Sequence, residues 1–171
     1  MNLSIVRSLN DLVNLYFTSA YQYLEFSNFF DSRDLKGYAN YFKVEAKEEI
    51  KRAMLIYDYL HKSKQNLRLM IIHAPSDEYT GIEDILRQSQ NIQNKLNEAI
   101  NDIYAKSLNY GDFASKVFIK WFVYDVLNEL NNAKKMAEDY RLYKDNLIML
   151  NDKYSKRIIS RERINYENLQ M

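Results

Sequence analysis

One proline, Pro75, and three glycines, Gly37, Gly81 and Gly111, are all that this 171-residue chain holds to interrupt a helix. Globular chains ordinarily carry about 7 % glycine and 5 % proline, so the scarcity predicts long uninterrupted helices and an all-α fold. An apolar fraction of 47 % over that length suits one compact domain with a substantial core.

The few breakers and polar clusters divide the sequence into segments whose apolar residues recur at three- and four-residue steps. Helices are predicted at about 4–30, 35–63, 81–107 and 113–142, with a short last helix at 146–156. The first carries Leu9, Leu12, Val13, Tyr16, Ala20, Tyr23 and Leu24 on one stripe. Residues 64–80 contain Leu67, Leu69, Ile71, Ile72 and then His73-Ala74-Pro75, and read as an extended connector. A link this long returns the chain along a bundle, so the helices on either side of it run parallel. Helices 1–157 thus form one domain, followed by a basic tail at 158–171.

Lysine plus arginine (24) nearly equals aspartate plus glutamate (23), so the whole chain has no strong field to draw nucleic acid or an acidic membrane. The absence of cysteine excludes disulfides, thiolate metal sites and cysteine nucleophiles. No apolar run is long enough to cross a bilayer and the N-terminal residues lack a cleavage signal, which predicts a soluble cytoplasmic protein with no membrane partner.

Chemistry concentrates in the second helix, where Glu45, Glu49 and Arg52 interrupt an apolar face at helical spacing. Carboxylate-bridged iron bundles use an inward glutamate with a histidine three residues on, because those positions share a face. Here Glu49 has Arg52 instead. A guanidinium has five donors, no lone pair and a permanent charge, so it repels a metal cation.

The stretches LKGYANYFKVEAKEEIKRAMLIYDYL (35–60), KWFVYDVLNEL (120–130) and LNDLVNLYFTSAYQYLEF (9–26) resemble the second, fourth and first helices of the bacterial non-haem ferritins. The likeness spans residues 4–157 and implies a ferritin-like four-helix bundle with a long crossover between its second and third helices and a short fifth helix. It further implies a di-iron ferroxidase centre and a homo-oligomeric shell of two dozen chains that stores iron. Carried over residue by residue, the first-helix glutamate falls on Tyr16, the histidine on Arg52, the third-helix glutamate on Ser89 and the fourth-helix glutamine on Val126. Glu49 and Glu129 are retained acids. Glu48, Glu49, Asp125 and Glu129 make a candidate weak metal site, with Asn128 beside them; the other reading of Glu48 and Asp125 is that of solvated acids. The residue that holds haem in bacterioferritins falls on Ile50, so no haem is expected.

Because a carboxylate inside a bundle is costly unless paired, the guanidinium of Arg52 is expected to take the space of the metal, pairing with Glu49 and Glu129. The alternative is that Arg52 reaches outward to solvent. His61 and His73 read as surface residues. Lys153, Lys156, Arg157, Arg161 and Arg163 give the C-terminal end a basic character that a shell would present many times over, a candidate for nucleic acid through avidity. Three functions follow from the resemblance: iron storage or sequestration with weak or absent ferroxidase activity, a DNA-binding protective shell, or a structural subunit that co-assembles with an active ferritin.

Overall fold

Helix α1, Leu3–Asp31, starts where the side chain of Asn2 accepts a hydrogen bond from the Ser4 amide at 2.8 Å, satisfying one of the amides that a helix start leaves bare. The computed structural model describes residues 1–75 and 77–161, the last six of them by backbone alone. After α1 come α2 (Lys36–Lys62), α3 (Ile82–Asn109), α4 (Phe113–Tyr143), a 3-10 turn at Lys144–Asn146 and α5 (Leu147–Arg161). There is no strand among the described residues. The four-helix bundle with a fifth C-terminal helix expected from the sequence is what forms, except that α5 continues to Arg161 where the periodicity predicts an end at 156. No glycine or proline follows Gly111 to stop it.

Each tight turn has a local cause. Asp34 adopts the left-handed conformation (φ 61°) between α1 and α2, and the Leu35 amide closes the turn on the Phe30 carbonyl. Gly111 does the same between α3 and α4 (φ 63°), where the Asp112 amide reaches back to the Ser107 carbonyl. The Asp112 side chain then caps α4 by accepting from the Ser115 amide at 3.0 Å.

The core divides into two apolar halves. One gathers Phe26, Phe30, Tyr38, Phe42, Ile85, Leu86 and Met136, with Leu150 and Tyr154 of α5 closing its end. The other gathers Leu9, Leu12, Ile56, Leu60, Leu96, Ile100, Ile103, Ile119 and Phe122. Helices α2 and α3 both pass from the first half to the second, so they run parallel, and α1 and α4 run the opposite way. The crossover from 63 to 81 makes that parallel arrangement possible. Phe30 and Phe42 stack at 5.5 Å between ring centroids, a contact that adds about 0.5–1.5 kcal/mol beyond simple burial.

Helix α5 seats on the start of α2. The side-chain oxygen of Asn151 accepts from the Gly37 and Tyr38 amides at 2.8 and 3.1 Å and so serves as a cap supplied from another helix. Gly37 permits the approach, since a Cβ there would lie 1.9 Å from the Asn151 carbonyl oxygen. Beneath them the Tyr154 hydroxyl and Lys153 ammonium both donate to Asp139. Burial alone would push the Asp139 carboxyl up; these two donors outweigh it and hold the group below its usual range.

Candidate centre at the waist of the bundle

Between the two apolar halves every helix turns polar at the same level. Helix α1 contributes Tyr16 and Tyr23, α2 Glu45, Glu49 and Arg52, α3 Ser89 and Gln93, and α4 Asp125 and Glu129. The spacing follows from helical geometry: positions three, four and seven apart share a face, so each helix can aim two groups into one layer.

Arg52 occupies the middle and is 3 % exposed, so it does not reach outward to solvent. Its Nε donates to Asp125 Oδ2 at 2.6 Å, and its Nη2 donates to Glu129 Oε1 at 3.2 Å and to Asp125 Oδ1 at 3.4 Å. The third nitrogen, Nη1, lies 3.2 Å from Glu49 Oε2. That contact is a charge pairing only, because neither atom has a partner in hydrogen-bonding geometry. On its other side Glu49 accepts from Gln93 Nε2 at 3.0 Å, and the same amide donates to the Tyr23 hydroxyl at 2.9 Å.

A single guanidinium therefore faces Glu49, Asp125 and Glu129. Glu49 is 0 % exposed, and burial pushes its carboxyl up to about 7, against the pull of Arg52 and with Glu129 and Asp125 adding smaller contributions to the rise. Burial also raises the Tyr16 and Tyr23 phenols well above their ordinary range, and the charge of Glu49 adds to both. For Arg52 the carboxylates outweigh desolvation, and its charge is permanent at any physiological pH.

Whether iron fits here is decided by the donors. The nitrogens of Arg52 aim N–H groups at the oxygens that a cation would need, and among the described residues no group of three or more His, Cys, Asp or Glu side chains is arranged to hold a metal. Of the candidate set, Glu48 pairs with Lys51 at 2.6 Å, while Glu49, Asp125 and Glu129 converge on the guanidinium. A di-iron centre does not fit this arrangement.

Tyr16, at 1 % exposure, packs against Phe122, and Val126, at 2 %, joins the same apolar half. Ser89 is buried and meets the Tyr23 hydroxyl. The α3 side chain that reaches Glu49 is Gln93, one turn beyond the position that sequence comparison selects. Gln93 carries no charge and sits among polar neighbours in sequence, so only its i+4 relation to Ser89 could have pointed to it. Asp125 was likewise not expected as an Arg52 partner. Asn128 is exposed, His61 packs on Tyr57 at 4.4 Å, and His73 is exposed. Of the basic set, Lys153 is ion-paired with Asp139 at 2.7 Å, while Lys156, Arg157, Arg161 and Arg163 lie outside the residues whose side chains are described. No helix among the described residues is long and apolar enough to cross a membrane.

Known proteins place this architecture. Residues 6–143 match the family described as Ferritin-like domain. A bacterial non-heme ferritin of Staphylococcus saprophyticus is 29 % identical over 133 residues, covering 75 % of this chain and 77 % of that one. A probable bacterial non-heme ferritin-like protein of Haemophilus influenzae is 27 % identical over 120 residues, 70 % of this chain and 73 % of its own length. Among solved structures, an open pore ferritin from the archaeon Archaeoglobus fulgidus superposes with a TM-score of 0.87 at 25 % identity, over 91 % of this chain and 96 % of that one. The order of helices, the parallel pair joined by a long crossover and the inward polar layer have the same explanation: this chain belongs to the ferritin-like family.

Proposed function

We propose that the chain is a subunit of a ferritin-like shell that stores or sequesters iron with slow or absent ferroxidase activity, because an internal ion pair occupies the level at which relatives would oxidise iron. The observation that carries this reading is the buried Arg52 guanidinium held by Glu49, Asp125 and Glu129. A fixed cation pairs with the carboxylates and disfavours a second one by repulsion. The ferritin names of the bacterial relatives and the match along 6–143 support the reading of a shell with iron as its cargo. On this reading residues 1–157 are the shell-forming domain, the assembly is a cytoplasmic homo-oligomer of about two dozen copies, and iron is cargo.

The test is to assemble the purified protein, add ferrous iron under air and follow ferric absorbance beside a protein-free control. Oxidation at the control rate, with iron retained by the protein on gel filtration, is expected. Rapid oxidation with two irons bound per chain before mineral appears overturns the proposal.

A further inference from the structure

Tyr154 is 0 % exposed, yet its hydroxyl donates to Asp139 Oδ2 at 2.5 Å, a phenol bonded to a carboxylate at the end of one apolar half of the core. The same oxygen accepts from Lys153 Nζ at 2.7 Å. Other tyrosines are placed differently. Tyr23 accepts from the Gln93 amide, Tyr59 shares a proton with the Ser115 hydroxyl, and the buried Tyr38 hydroxyl has no partner among the described residues.

That difference bears on one kind of chemistry. A phenol that loses an electron becomes a strong acid, and in an apolar interior its positive charge is costly unless the proton leaves at once. A carboxylate already at hydrogen-bond distance takes that proton without any movement of heavy atoms. Asp139 is ready to do so, because its two donors keep it ionised. Once it is protonated, the charge left over is that of the Lys153 ammonium, whose side chain is 42 % exposed to solvent. The core itself stays neutral.

The ring is also in contact with a file of others. Tyr38 lies 5.2 Å and Tyr41 5.8 Å from it between centroids. Tyr41 meets Phe42 at 5.3 Å, and Phe42 meets Tyr23 at 5.8 Å. Adjoining rings shorten each distance an electron must tunnel, and this file leads from Tyr154 to the polar layer at the waist.

The geometry points to Tyr154 as a redox-active tyrosine, a buried phenol that gives an electron to an oxygen-centred radical and its proton to Asp139. In that step the phenolic O–H bond breaks and the proton joins Asp139 Oδ2. The electron reduces the radical to its anion, which takes a proton from water. What remains is a neutral phenoxyl radical held where solvent does not reach. Ferrous iron and peroxide generate radicals of this class, so the inference rests on the iron reading above for its oxidant; the test uses no iron, and the two fail separately.

Flash photolysis of tris(bipyridyl)ruthenium(II) with persulfate supplies a one-electron oxidant to the full chain. Electron paramagnetic resonance after a brief ascorbate quench then reads what survives, since ascorbate removes radicals on exposed tyrosines such as Tyr110 and Tyr124. Wild type is expected to keep a tyrosyl signal that Tyr154→Phe, which retains the ring, lacks. Asp139→Asn should form the radical about 100-fold more slowly. Formation in wild type should be slower in heavy water than in ordinary water, a dependence that a merely structural bond would not show. Helical content and urea midpoints check that both variants fold. A wild type with no surviving signal, equal rates in the two waters, a Tyr154→Phe signal of wild-type size, or an Asp139→Asn chain that reacts at the wild-type rate overturns the proposal.

Discussion

Arg52 and Asp125, 73 positions apart in the chain, meet side-on at 2.6 Å and tie α2 to α4 at the middle of the bundle. Removing one member of a buried charge cluster leaves the others uncompensated, which typically costs about 3–5 kcal/mol. Arg52→Met should lower stability by that amount in urea unfolding at neutral pH. Arg52→Lys keeps the charge but not the planar fork that serves Asp125 and Glu129 at once, so it should fall between the two. If Arg52→Met matches wild type, the cluster does not hold the waist together.

On the proposed reading, supplying ligand chemistry should raise reactivity toward iron. Arg52→His with Tyr16→Glu replaces the cation by an imidazole and adds a carboxylate facing Glu49. Ferrous oxidation by this double variant is expected to exceed that of the parent at least tenfold, a difference of about 1.4 kcal/mol in barrier. Equal rates would count against the guanidinium as the cause of the slow oxidation proposed above.

Glu49 gives the fold a pH dependence of defined sign. Its carboxyl titrates at about 7 in the folded chain against 4.5 for an ordinary glutamate, so folding favours the protonated form. The contribution is fully present below about pH 4.5 and is lost as pH rises through about 7. Unfolding free energy should therefore fall by on the order of 3 kcal/mol between about pH 5 and pH 8. In Glu49→Gln, which keeps the shape and has no proton to lose, that slope should disappear. A wild-type slope of opposite sign would count against the burial-driven rise.

The seat of α5 is testable through backbone contact. Gly37→Ala places a Cβ against the Asn151 carbonyl, and backbone cannot swing aside as a flexible side chain can. A loss of roughly 1–3 kcal/mol is expected, with the amides of α5 exchanging faster. Asn151→Ala should cost about 1 kcal/mol by leaving the Gly37 and Tyr38 amides without their acceptor.

The architecture was written in the chain at the level of spacing. Apolar repeats and scarce breakers place four long helices and the crossover, and Glu49 with Arg52 three residues on marks the inward polar layer. Other parts were silent for physical reasons. Gln93 and Asp125 enter the centre by side-chain direction across helices, which a pattern along one helix does not encode. Asn10 and Asn14 resemble ordinary surface polar residues on α1; their hydrogen bonds to the Asn66 and Arg68 carbonyls depend on the crossover lying over them, a relation between segments more than fifty residues apart. The extension of α5 to Arg161 carries no capping signal at all.

A positive charge bonded covalently to the backbone differs from a bound ion in one further respect. It has no dissociation constant, so neither a chelator nor scarcity in the surroundings can withdraw it. Arg52 thus gives the bundle a waist of the same strength in starvation and in plenty, and a subunit of this kind can be folded and ready before the first atom of cargo arrives.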